Sequence, residues 1–256
     1  MFQQRALVRP PSPRLAEGLL THLERVPVDA QLAARQWADY RSALHDNGWE
    51  TLLAPAADEC PDGVFIEDTM VVYGDLAVIT RPGAVSRRQE LPGAELAIRT
   101  LGYRTARITD PGTLDGGDVL KHDRTVWVGI GGRTNTAGAD QLARLLAPLG
   151  ARVVPVPLTK VLHLKSAVTA LPDGTVLGHP DFVDDPAVFP HFLAVPEPEG
   201  AHVVNLNDGR LLISAAAPRT TEQLAALGYT MVPVDISEFE KLEGCVTCLS
   251  VRLRGV

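Results

Sequence analysis

The chain has 256 residues, which is enough for one large domain or two small ones with a substantial buried core. Apolar residues make up 45% and charged residues 21%, as is typical of a soluble globular protein and too apolar for a disordered one. The 24 Lys and Arg residues against 31 Asp and Glu residues give a formal net charge of -7, so we expect no nucleic-acid partner.

Membrane and secretory features are also not expected. No apolar run approaches the ~20 residues needed to cross a bilayer. The segment 1–9 lacks the apolar stretch of a signal peptide. Three cysteines, an odd number in a long chain, do not form a disulfide framework. We therefore expect a cytoplasmic protein without membrane contact. No linker or charge run divides the chain, so a single domain spanning 1–256 is predicted.

One element that recurs along the chain is a glycine that ends a helical pattern and precedes an apolar strand. It occurs at Gly48, Gly102, Gly150 and Gly228. Apolar residues at helical spacing precede these glycines, as in 142–149. Glycine adopts the left-handed conformation that ends many helices at little cost, so each position predicts a helix end.

A second recurring element is a short apolar strand that runs into proline, glycine or small residues. Its five copies are residues 6–10, 77–82, 126–129, 176–180 and 211–214. Asp-Gly pairs, which favour turns between strands, precede three of them, at 62–63, 173–174 and 208–209. The repeated unit is therefore a strand, a helix, a glycine, a strand, a turn-rich segment and a further strand.

Five such units predict an α/β fold arranged as a closed array of pseudo-fivefold symmetry, with helices covering the strands. Residues 180–205 fit the unit poorly, because five prolines interrupt any helix there. A doubly wound sheet is the alternative. A doubly wound sheet that binds a dinucleotide usually carries a Gly-x-Gly-x-x-Gly fingerprint, which this sequence lacks. The glycines at 129–132 do not open a convincing helix.

Polar clusters follow the strand after each of the four capping glycines. They occupy 61–68, 114–118, 161–165 and 244–248. If rotation relates the units, equivalent positions converge on the central axis. The array then gathers several carboxylates, one histidine and one cysteine at one end of the barrel.

The histidine in this set is His163. It lies between Leu162 and Leu164 in what we predict to be an alternating strand, which places Lys165 on the same face as His163. A lone histidine in a strand is more often structural than catalytic. Beside a cysteine it becomes a candidate acid and base, because a proton shuttle at neutral pH needs a group that titrates near 7.

The charged residues have both structural and functional interpretations. Glu67 and Asp68 lie in an apolar segment, and buried adjacent carboxylates are costly unless a cation meets them, so that cation is a candidate ligand. The run 115–118 fits a tight turn as well as a functional loop. Arg87 and Arg133 are either surface charges or a clamp for a ligand carboxylate.

Cys245 and Cys248 form a Cys-x-x-Cys pair. A redox motif needs such a pair at a helix start, whereas Cys248 leads into a predicted C-terminal strand. A zinc site needs further cysteines or well-spaced histidines, which the sequence lacks. A single nucleophilic cysteine or a buried inert one remains.

Taken in order, six motifs resemble the dimethylarginine dimethylaminohydrolase family, of the guanidine-modifying superfamily that includes arginine deiminase and the amidinotransferases. They are residues 62–68, 79–88, 114–118, 133–138, 162–165 and 247–250. The resemblance extends from Leu7 to Val251. It implies a five-bladed α/β propeller built from ββαβ units, which agrees with the five repeated units.

The resemblance also implies roles for individual residues. Cys248 corresponds to the nucleophile, His163 to the general acid and base, and Asp115 to the acid that orients His163. The implied substrate-binding residues are Leu19, Asp62, Phe65, Glu67, Asp68, Arg87, Arg133 and Leu242. Leu19 would lie on a loop that closes over the substrate, and Leu242 would contribute backbone contacts. Cys245 departs from the family pattern and receives no role.

The implied reaction is hydrolysis of N-omega-methylated arginine to L-citrulline and dimethylamine or methylamine through a covalent thiouronium on Cys248. It requires no metal and no organic cofactor. Alternatives are an arginine deiminase, a non-catalytic binder of cationic amino acids and a metal-dependent hydrolase. A deiminase usually carries an added helical module, for which 256 residues leave little room. The expected partner is a small-molecule substrate, and a homodimer is one assembly to test.

Overall fold

A computed structural model describes residues 4–253, and within this range fifteen strands form five three-stranded sheets. Each sheet has an inner, a middle and an outer strand. The inner strands are β3 (Met70–Tyr73), β6 (Val119–His122), β9 (Val168–Ala170), β12 (Val203–Asn207) and β15 (Val251–Leu253). The middle strands are β1 (Gln4–Val8), β4 (Leu76–Ile79), β7 (Thr125–Ile130), β10 (Val176–Gly178) and β13 (Arg210–Ser214). The outer strands are β2 (Trp49–Leu53), β5 (Arg104–Arg107), β8 (Arg152–Pro157), β11 (Phe192–Ala194) and β14 (Thr230–Val234).

Strand pairing is the same in all five sheets. The middle strand pairs antiparallel with the inner strand and parallel with the outer strand. In the second sheet Met70 is opposite Ile79, and Leu76 is opposite Arg104. Strand β15 from the end of the chain pairs with β1 from its beginning, so one sheet joins both ends of the chain and closes the ring.

Helices connect the middle strand to the outer strand, as a parallel pair requires. They are α1 (Ala30–Asp46), α2 (Leu91–Thr100), α3 (Thr136–Leu146) and α4 (Pro218–Ala226), and a short α5 (Ser237–Glu240) follows β14. The fourth sheet has a 3-10 turn, Pro186–Val188, in place of a helix. The prediction that proline interrupts a helix in this region is therefore confirmed.

The four predicted helix-ending glycines all adopt the left-handed conformation. Their φ angles are 83° at Gly48, 86° at Gly102, 79° at Gly150 and 95° at Gly228. Each lies between a helix and the outer strand that follows it. The glycine pattern therefore located these four helix-to-strand connections.

The apolar core lies between neighbouring sheets. In one cluster Tyr40 and Leu44 of α1 pack with Leu212 of β13 and Val234 of β14, so the helix of one unit covers the sheet of the preceding unit. In another, Leu142 of α3 packs on two sheets in the same manner. Because each helix buries its apolar face between two sheets, the units form a ring. The fold is a five-bladed α/β propeller, and the doubly wound sheet is excluded because no described sheet exceeds three strands.

Two local predictions were wrong. His163 and Lys165 do not lie in an alternating strand, because β8 ends at Pro157 and a 3-10 turn begins at Leu164. The pair at 62–63 does not form the hairpin turn of its sheet, which is made by residues 74–75 between β3 and β4. The other two Asp-Gly pairs do lie in turns between an inner and a middle strand.

Among the described residues, no helix has both the length and the apolarity needed to span a bilayer.

Candidate active site

A small pocket lies at the end of the propeller where the inner strands begin. Loops that precede β3, β6, β9 and β15 meet there, as predicted for the four polar clusters. The pocket is lined by Leu19, Asp62, Phe65, Asp68, Arg87, Arg133, Leu162, His163, Leu242, Glu243, Gly244 and Cys248. Of the residues predicted for the site, only Asp115 and Glu67 do not line it. The array therefore brings together acids, a histidine and a cysteine from distant parts of the chain.

His163 is buried between two aspartates. Its Nε2 lies 3.0 Å from Oδ2 of Asp115, and its Nδ1 lies 3.8 Å from Oδ1 of Asp68. Burial by itself lowers the pKa of His163, but the negative charges of Asp68, Asp115 and Asp118 outweigh it and raise the pKa to about 9. His163 is therefore protonated at neutral pH and can donate a proton.

Asp115 is itself held in place by hydrogen bonds. One oxygen accepts from the backbone N–H of Gly83 at 2.9 Å, while the other faces His163. The backbone N–H of Asp115 donates to Oγ1 of Thr134 at 3.1 Å. Asp115 thus lies directly behind His163 and fixes the orientation of its ring.

Asp118, the second acid of the same motif, positions backbone. Its carboxylate accepts from the hydroxyl of Thr134 at 2.6 Å and from the N–H of Leu164 at 3.0 Å. Burial raises the pKa of Asp118 to about 6. The glycines between the acids allow close packing, since a Cβ on Gly117 would lie 2.7 Å from Nδ1 of His163. The Asp-Gly-Gly-Asp run therefore packs directly against His163, and its role in the site stays a prediction.

Asp68 lies between two cationic groups. Its Oδ2 accepts from Arg87 at 2.6 Å, and its Oδ1 accepts from the N–H of Gly117 at 2.8 Å. Although burial raises its pKa, the charges of His163 and Arg87 lower it below the usual range. Arg87 also donates to both oxygens of Glu90, at 2.8 and 2.9 Å. Asp68 is therefore an ionised carboxylate in a fixed position.

Asp62 and Arg133 present opposite charges to the pocket. Burial raises the pKa of Asp62, whose carboxylate accepts from the backbone N–H of Leu19 at 3.0 Å. Nη1 of Arg133 is buried and has no hydrogen-bond partner within residues 4–253. It lies 3.7 Å from Oδ2 of Asp115. A buried guanidinium donor that faces a pocket in this way is well suited to an anionic group of a ligand.

Cys248 reaches the pocket from a tight turn that precedes β15. Its backbone N–H donates to the carbonyl of Cys245 at 3.0 Å, and the two sulfur atoms lie 3.2 Å apart. This hydrogen bond favours one thiol and one thiolate, so it lowers the pKa of Cys245 and raises that of Cys248. Burial and the negative charges of Glu67 and Asp68 further raise the pKa of Cys248. A bound cation would counter this effect of the acids.

Glu67 lines a wider cavity, while the next residue, Asp68, lines the pocket. Its Oε1 accepts from Lys165 at 2.6 Å and from Arg252 at 2.7 Å. Its Oε2 is buried and has no hydrogen-bond partner in the described part of the chain. The backbone N–H of Glu67 donates to the carbonyl of Cys248 at 3.2 Å, so Glu67 is adjacent to Cys248 even though its side chain lines the cavity.

Three residues that support the site were not predicted. Oε1 of Glu243 accepts from three successive backbone N–H groups of 21–23, next to Leu19. The hydroxyl of Tyr40 bonds to the carbonyl of Val246 at 2.9 Å, and Arg252 donates to the carbonyl of Thr247 at 3.2 Å. No sequence signal relates these partners, because they lie far apart in the chain or lack a motif.

One group in the site has the composition of a metal site. Ligand atoms of Asp68, Asp115 and His163 all lie within 4.8 Å of one another. These atoms already form hydrogen bonds. The carboxylate of Asp68 accepts from Arg87 and from the N–H of Gly117, and Nε2 of His163 is bonded to the carboxylate of Asp115. The expectation that no metal is required stays a prediction, which chelation followed by an activity assay tests.

The site combines a cysteine, a histidine oriented by an aspartate and several fixed carboxylates in a five-bladed α/β propeller. This combination defines the class of protein, a cysteine-dependent enzyme for a small cationic substrate. Comparisons with known proteins identify the family. The chain is 62% identical over 254 residues to the N(G),N(G)-dimethylarginine dimethylaminohydrolase of Streptomyces coelicolor, covering 99% of this chain and 98% of that protein. The chain belongs to the dimethylarginine dimethylaminohydrolase family.

More distant relatives agree. The dimethylarginine dimethylaminohydrolase of Pseudomonas aeruginosa is 36% identical over 252 residues, covering 96% of this chain and 98% of that protein. A solved structure of a cysteine-to-serine mutant of the Pseudomonas aeruginosa enzyme, complexed with citrulline, superposes with a TM-score of 0.91. It is 34% identical and covers 99% of this chain and 100% of its own. No family model matches the sequence.

Proposed function

We propose that this protein hydrolyses N-omega-methylated arginine to L-citrulline and dimethylamine or methylamine. The observation that carries the proposal is the convergence of Cys248, protonated His163 and the ionised Asp68 on one pocket. Arg133 lies in the same wall, and its Nη1 has no hydrogen-bond partner within residues 4–253. Family membership supports the same reaction, because the relatives are named for it.

Charge complementarity supports the proposed binding mode. A methylated arginine carries a cationic guanidinium at one end and a carboxylate at the other. Asp62 and Asp68 line the pocket and are available to accept hydrogen bonds from the guanidinium. Glu67 adds negative charge from the adjoining cavity, where its side chain lies. We assign Arg133 to the substrate carboxylate. Arg87 adds positive charge beside it while holding Asp68 in place.

The first half of the reaction uses Cys248 as nucleophile. Resonance makes the guanidinium carbon a poor electrophile, so a fixed orientation close to the sulfur contributes much of the rate. The bound cation stabilises the Cys248 thiolate against the neighbouring acids. The sulfur bonds to the guanidinium carbon and gives a tetrahedral adduct. His163 then protonates the leaving nitrogen, the carbon–nitrogen bond breaks, and a thiouronium remains on Cys248.

The second half of the reaction uses the same histidine as a base. Having lost its proton to the amine, His163 is neutral and accepts a proton from water as the water oxygen attacks the thiouronium carbon. The carbon–sulfur bond then breaks, the remaining hydroxyl proton passes to the leaving sulfur, and citrulline is released. Asp115 keeps the ring of His163 oriented through both steps, because its carboxylate is fixed by Gly83.

The segment that carries Leu19 is proposed to cover the substrate. Leu19 lines the pocket, its N–H is bonded to Asp62, and Glu243 holds the following residues. Leu242, whose backbone is proposed to contact the substrate amino group, precedes Glu243 directly. The same short loop therefore binds substrate and holds its cover.

A side-by-side assay of arginine, monomethylarginine and asymmetric dimethylarginine tests the function. We expect citrulline and an alkylamine from the methylated substrates, faster than citrulline and ammonia from arginine. Cys248→Ala is expected to abolish citrulline formation. Cys60→Ala is the control, because Cys60 is also a buried cysteine but lies outside the pocket, and this variant is expected to retain citrulline formation. Faster ammonia release from arginine would instead assign a deiminase. Tight binding of substrate without turnover would assign a binding protein.

Three of the sequence predictions reach beyond the site. A single domain over residues 1–256, a cytoplasmic location and a homodimer stay predictions. Sedimentation equilibrium of the full chain, with and without substrate, distinguishes a monomer from a dimer.

A further inference from the structure

In the Cys-x-x-Cys pair, the thiol of Cys245 lies against the proposed nucleophile, Cys248. The proposed reaction does not use the thiol of Cys245. The sulfur atoms of Cys245 and Cys248 lie 3.2 Å apart, and their residues are 4% and 6% exposed. Cys248 lines the pocket, whereas Cys245 lies behind it in the core. A small reagent therefore reaches Cys248 first and meets Cys245 as the neighbouring thiol.

We propose that Cys245 is a resolving thiol that forms a reversible disulfide with Cys248 when a hydroperoxide oxidises the empty active site. The pair is a modification site in its own right, and the chemistry does not depend on the identity of the substrate. It also differs from the thiol-disulfide oxidoreductase motif that the sequence argued against, since no helix begins at Cys245.

The backbone geometry favours this bond. The hydrogen bond from the N–H of Cys248 to the carbonyl of Cys245 closes a four-residue turn. Such a turn brings its first and last Cα atoms within about 7 Å. Disulfides span Cα separations of about 4.4–6.8 Å. Formation of the Cys245–Cys248 disulfide therefore requires only a small movement of the two side chains and no rearrangement of the fold.

The local electrostatics supply the reactive species. Because the two sulfurs share a hydrogen bond, removing one proton leaves a thiolate stabilised by the remaining thiol. The hydroxyl of Thr247 lies 3.2 Å from the sulfur of Cys245 and gives the pair a further polar contact. A thiolate is the form of cysteine that reacts with peroxide.

The proposed chemistry has two steps. The proton of Cys248 first passes to the sulfur of Cys245 across their shared hydrogen bond. The resulting Cys248 thiolate attacks one oxygen of the hydroperoxide, the oxygen–oxygen bond breaks, and Cys248 becomes a sulfenic acid as hydroxide or alkoxide leaves. The sulfur of Cys245 then attacks the sulfur of Cys248, the sulfur–oxygen bond breaks, and water leaves with the Cys245 proton. The peroxide gains two electrons from the sulfur pair. A dithiol restores both thiols by exchange.

The disulfide blocks the nucleophile and protects it from irreversible oxidation. Without Cys245, the sulfenic acid on Cys248 is exposed to a second peroxide and proceeds to sulfinic acid, which dithiols do not reduce. Reversibility of the inactivation therefore reports the presence of the resolving thiol.

Hydrogen peroxide applied to the full-length protein without substrate, followed by dithiothreitol, tests the proposal. For the wild type we expect loss of citrulline formation, a mass decrease of about 2 Da, a peptide linking the two cysteines and full recovery with dithiothreitol. For Cys245→Ser we expect a mass increase of about 32 Da and no recovery. Cys245→Ala provides a second replacement of the same thiol, and each variant is compared with its own untreated activity.

Cys60→Ser is the matched control, because Cys60 is also a buried free cysteine but does not contact Cys248 in the described hydrogen-bond network. We expect it to behave as the wild type. A wild-type protein that gains oxygen without forming the linked peptide would overturn the proposal, as would recovery of Cys245→Ser to the wild-type extent. These readouts follow protein mass and thiols, so their failure leaves the proposed hydrolysis untouched.

Discussion

The two ends of the central channel are lined by different elements of the same repeated unit, and they differ in chemistry. At one end, the loops before the inner strands form the narrow pocket with Cys248 and His163. Beyond Glu67, the inner strands β3, β6, β9, β12 and β15 line a wider cavity of about 410 Å³. The ion pairs of Glu67 with Lys165 and Arg252 lie in the wall of this wider cavity.

The contrast shows that volume does not locate the chemistry. The wide cavity also holds buried charges, but there Glu67 is neutralised by Lys165 and Arg252. The side chain of Asp123, which also lines it, is largely exposed to water. At the narrow end the charged groups are buried and shift one another's pKa, as in the raised pKa of His163. Buried groups that interact in this way are typical of functional sites. Substitutions at matched residues of the two ends therefore test the assignment.

The largest expected effect is the loss of the pocket histidine. His163→Gly removes both the acid for the leaving amine and the base for water, so we expect kcat to fall by at least about 10³-fold. His122→Gln replaces a histidine of the wide cavity and is expected to change kcat by less than about twofold. Steady-state citrulline formation measures both variants.

Circular dichroism of both histidine variants is the control for folding. A folded His163→Gly protein with wild-type turnover would place the chemistry elsewhere. An equally large loss in His122→Gln would assign catalytic work to the wide cavity.

A second difference between the two ends lies in stability as a function of pH. The folded pKa of His163, about 9, exceeds its unfolded value of 6.5, so protonation of His163 stabilises the folded state. This contribution is fully present below pH 6.5 and is lost as pH rises through about 9. A shift of this size corresponds to about 3 kcal/mol. Urea unfolding across this range should show a steeper loss of stability in the wild type than in His163→Gly.

His122→Gln again provides the comparison, since it leaves the buried cluster around His163 intact. Its unfolding free energy should follow the wild-type pH dependence. Parallel curves for the wild type and His163→Gly would contradict the raised pKa of His163.

The two acids of the Asp-Gly-Gly-Asp run are expected to separate catalysis from stability. Asp115→Asn weakens the orientation and charge behind His163, so we expect kcat to fall by about 10²-fold with a small change in KM. Asp118→Asn loses an acceptor for Thr134 or Leu164 and is expected to lower the unfolding free energy by about 1 kcal/mol.

Activity assays and urea unfolding of both aspartate variants check this division. If Asp118→Asn lowered kcat as strongly as Asp115→Asn, the second acid would belong to the catalytic machinery. The Asp115→Asn activity should also become more sensitive to pH, because the negative charge of Asp115 helps to keep His163 protonated.

The fold was largely predictable from the sequence because its signals are local and repeated. Gly48 and its three counterparts mark helix ends through backbone conformation, and the apolar middle strands mark the centre of each sheet. The prolines of 180–205 correctly predicted a unit without a helix. The strand assigned around His163 was wrong because alternation over four residues also occurs in a loop that enters a 3-10 turn.

The site was predictable in composition but not in arrangement. Repetition placed its loops at one end of the propeller, and the resemblance supplied the candidate residues. Whether the side chain of Glu67 faces the pocket or the cavity depends on Lys165 and Arg252, which lie on distant segments. The contact between Cys245 and Cys248 depends on the turn between them, which four residues of sequence do not determine.

The smallest expected effect on activity concerns the segment 19–23, which is proposed to cover the pocket. Glu243, whose backbone has a left-handed φ of 60°, accepts from three N–H groups of 21–23, so Glu243→Ala leaves those donors without their partner. We expect KM to rise about tenfold with a smaller change in kcat, because closure binds substrate and does not perform chemistry. Glu243→Gln keeps an acceptor and should restore most of the affinity. Equal losses in both variants would show that negative charge beside the pocket, and not the cover, is what Glu243 contributes.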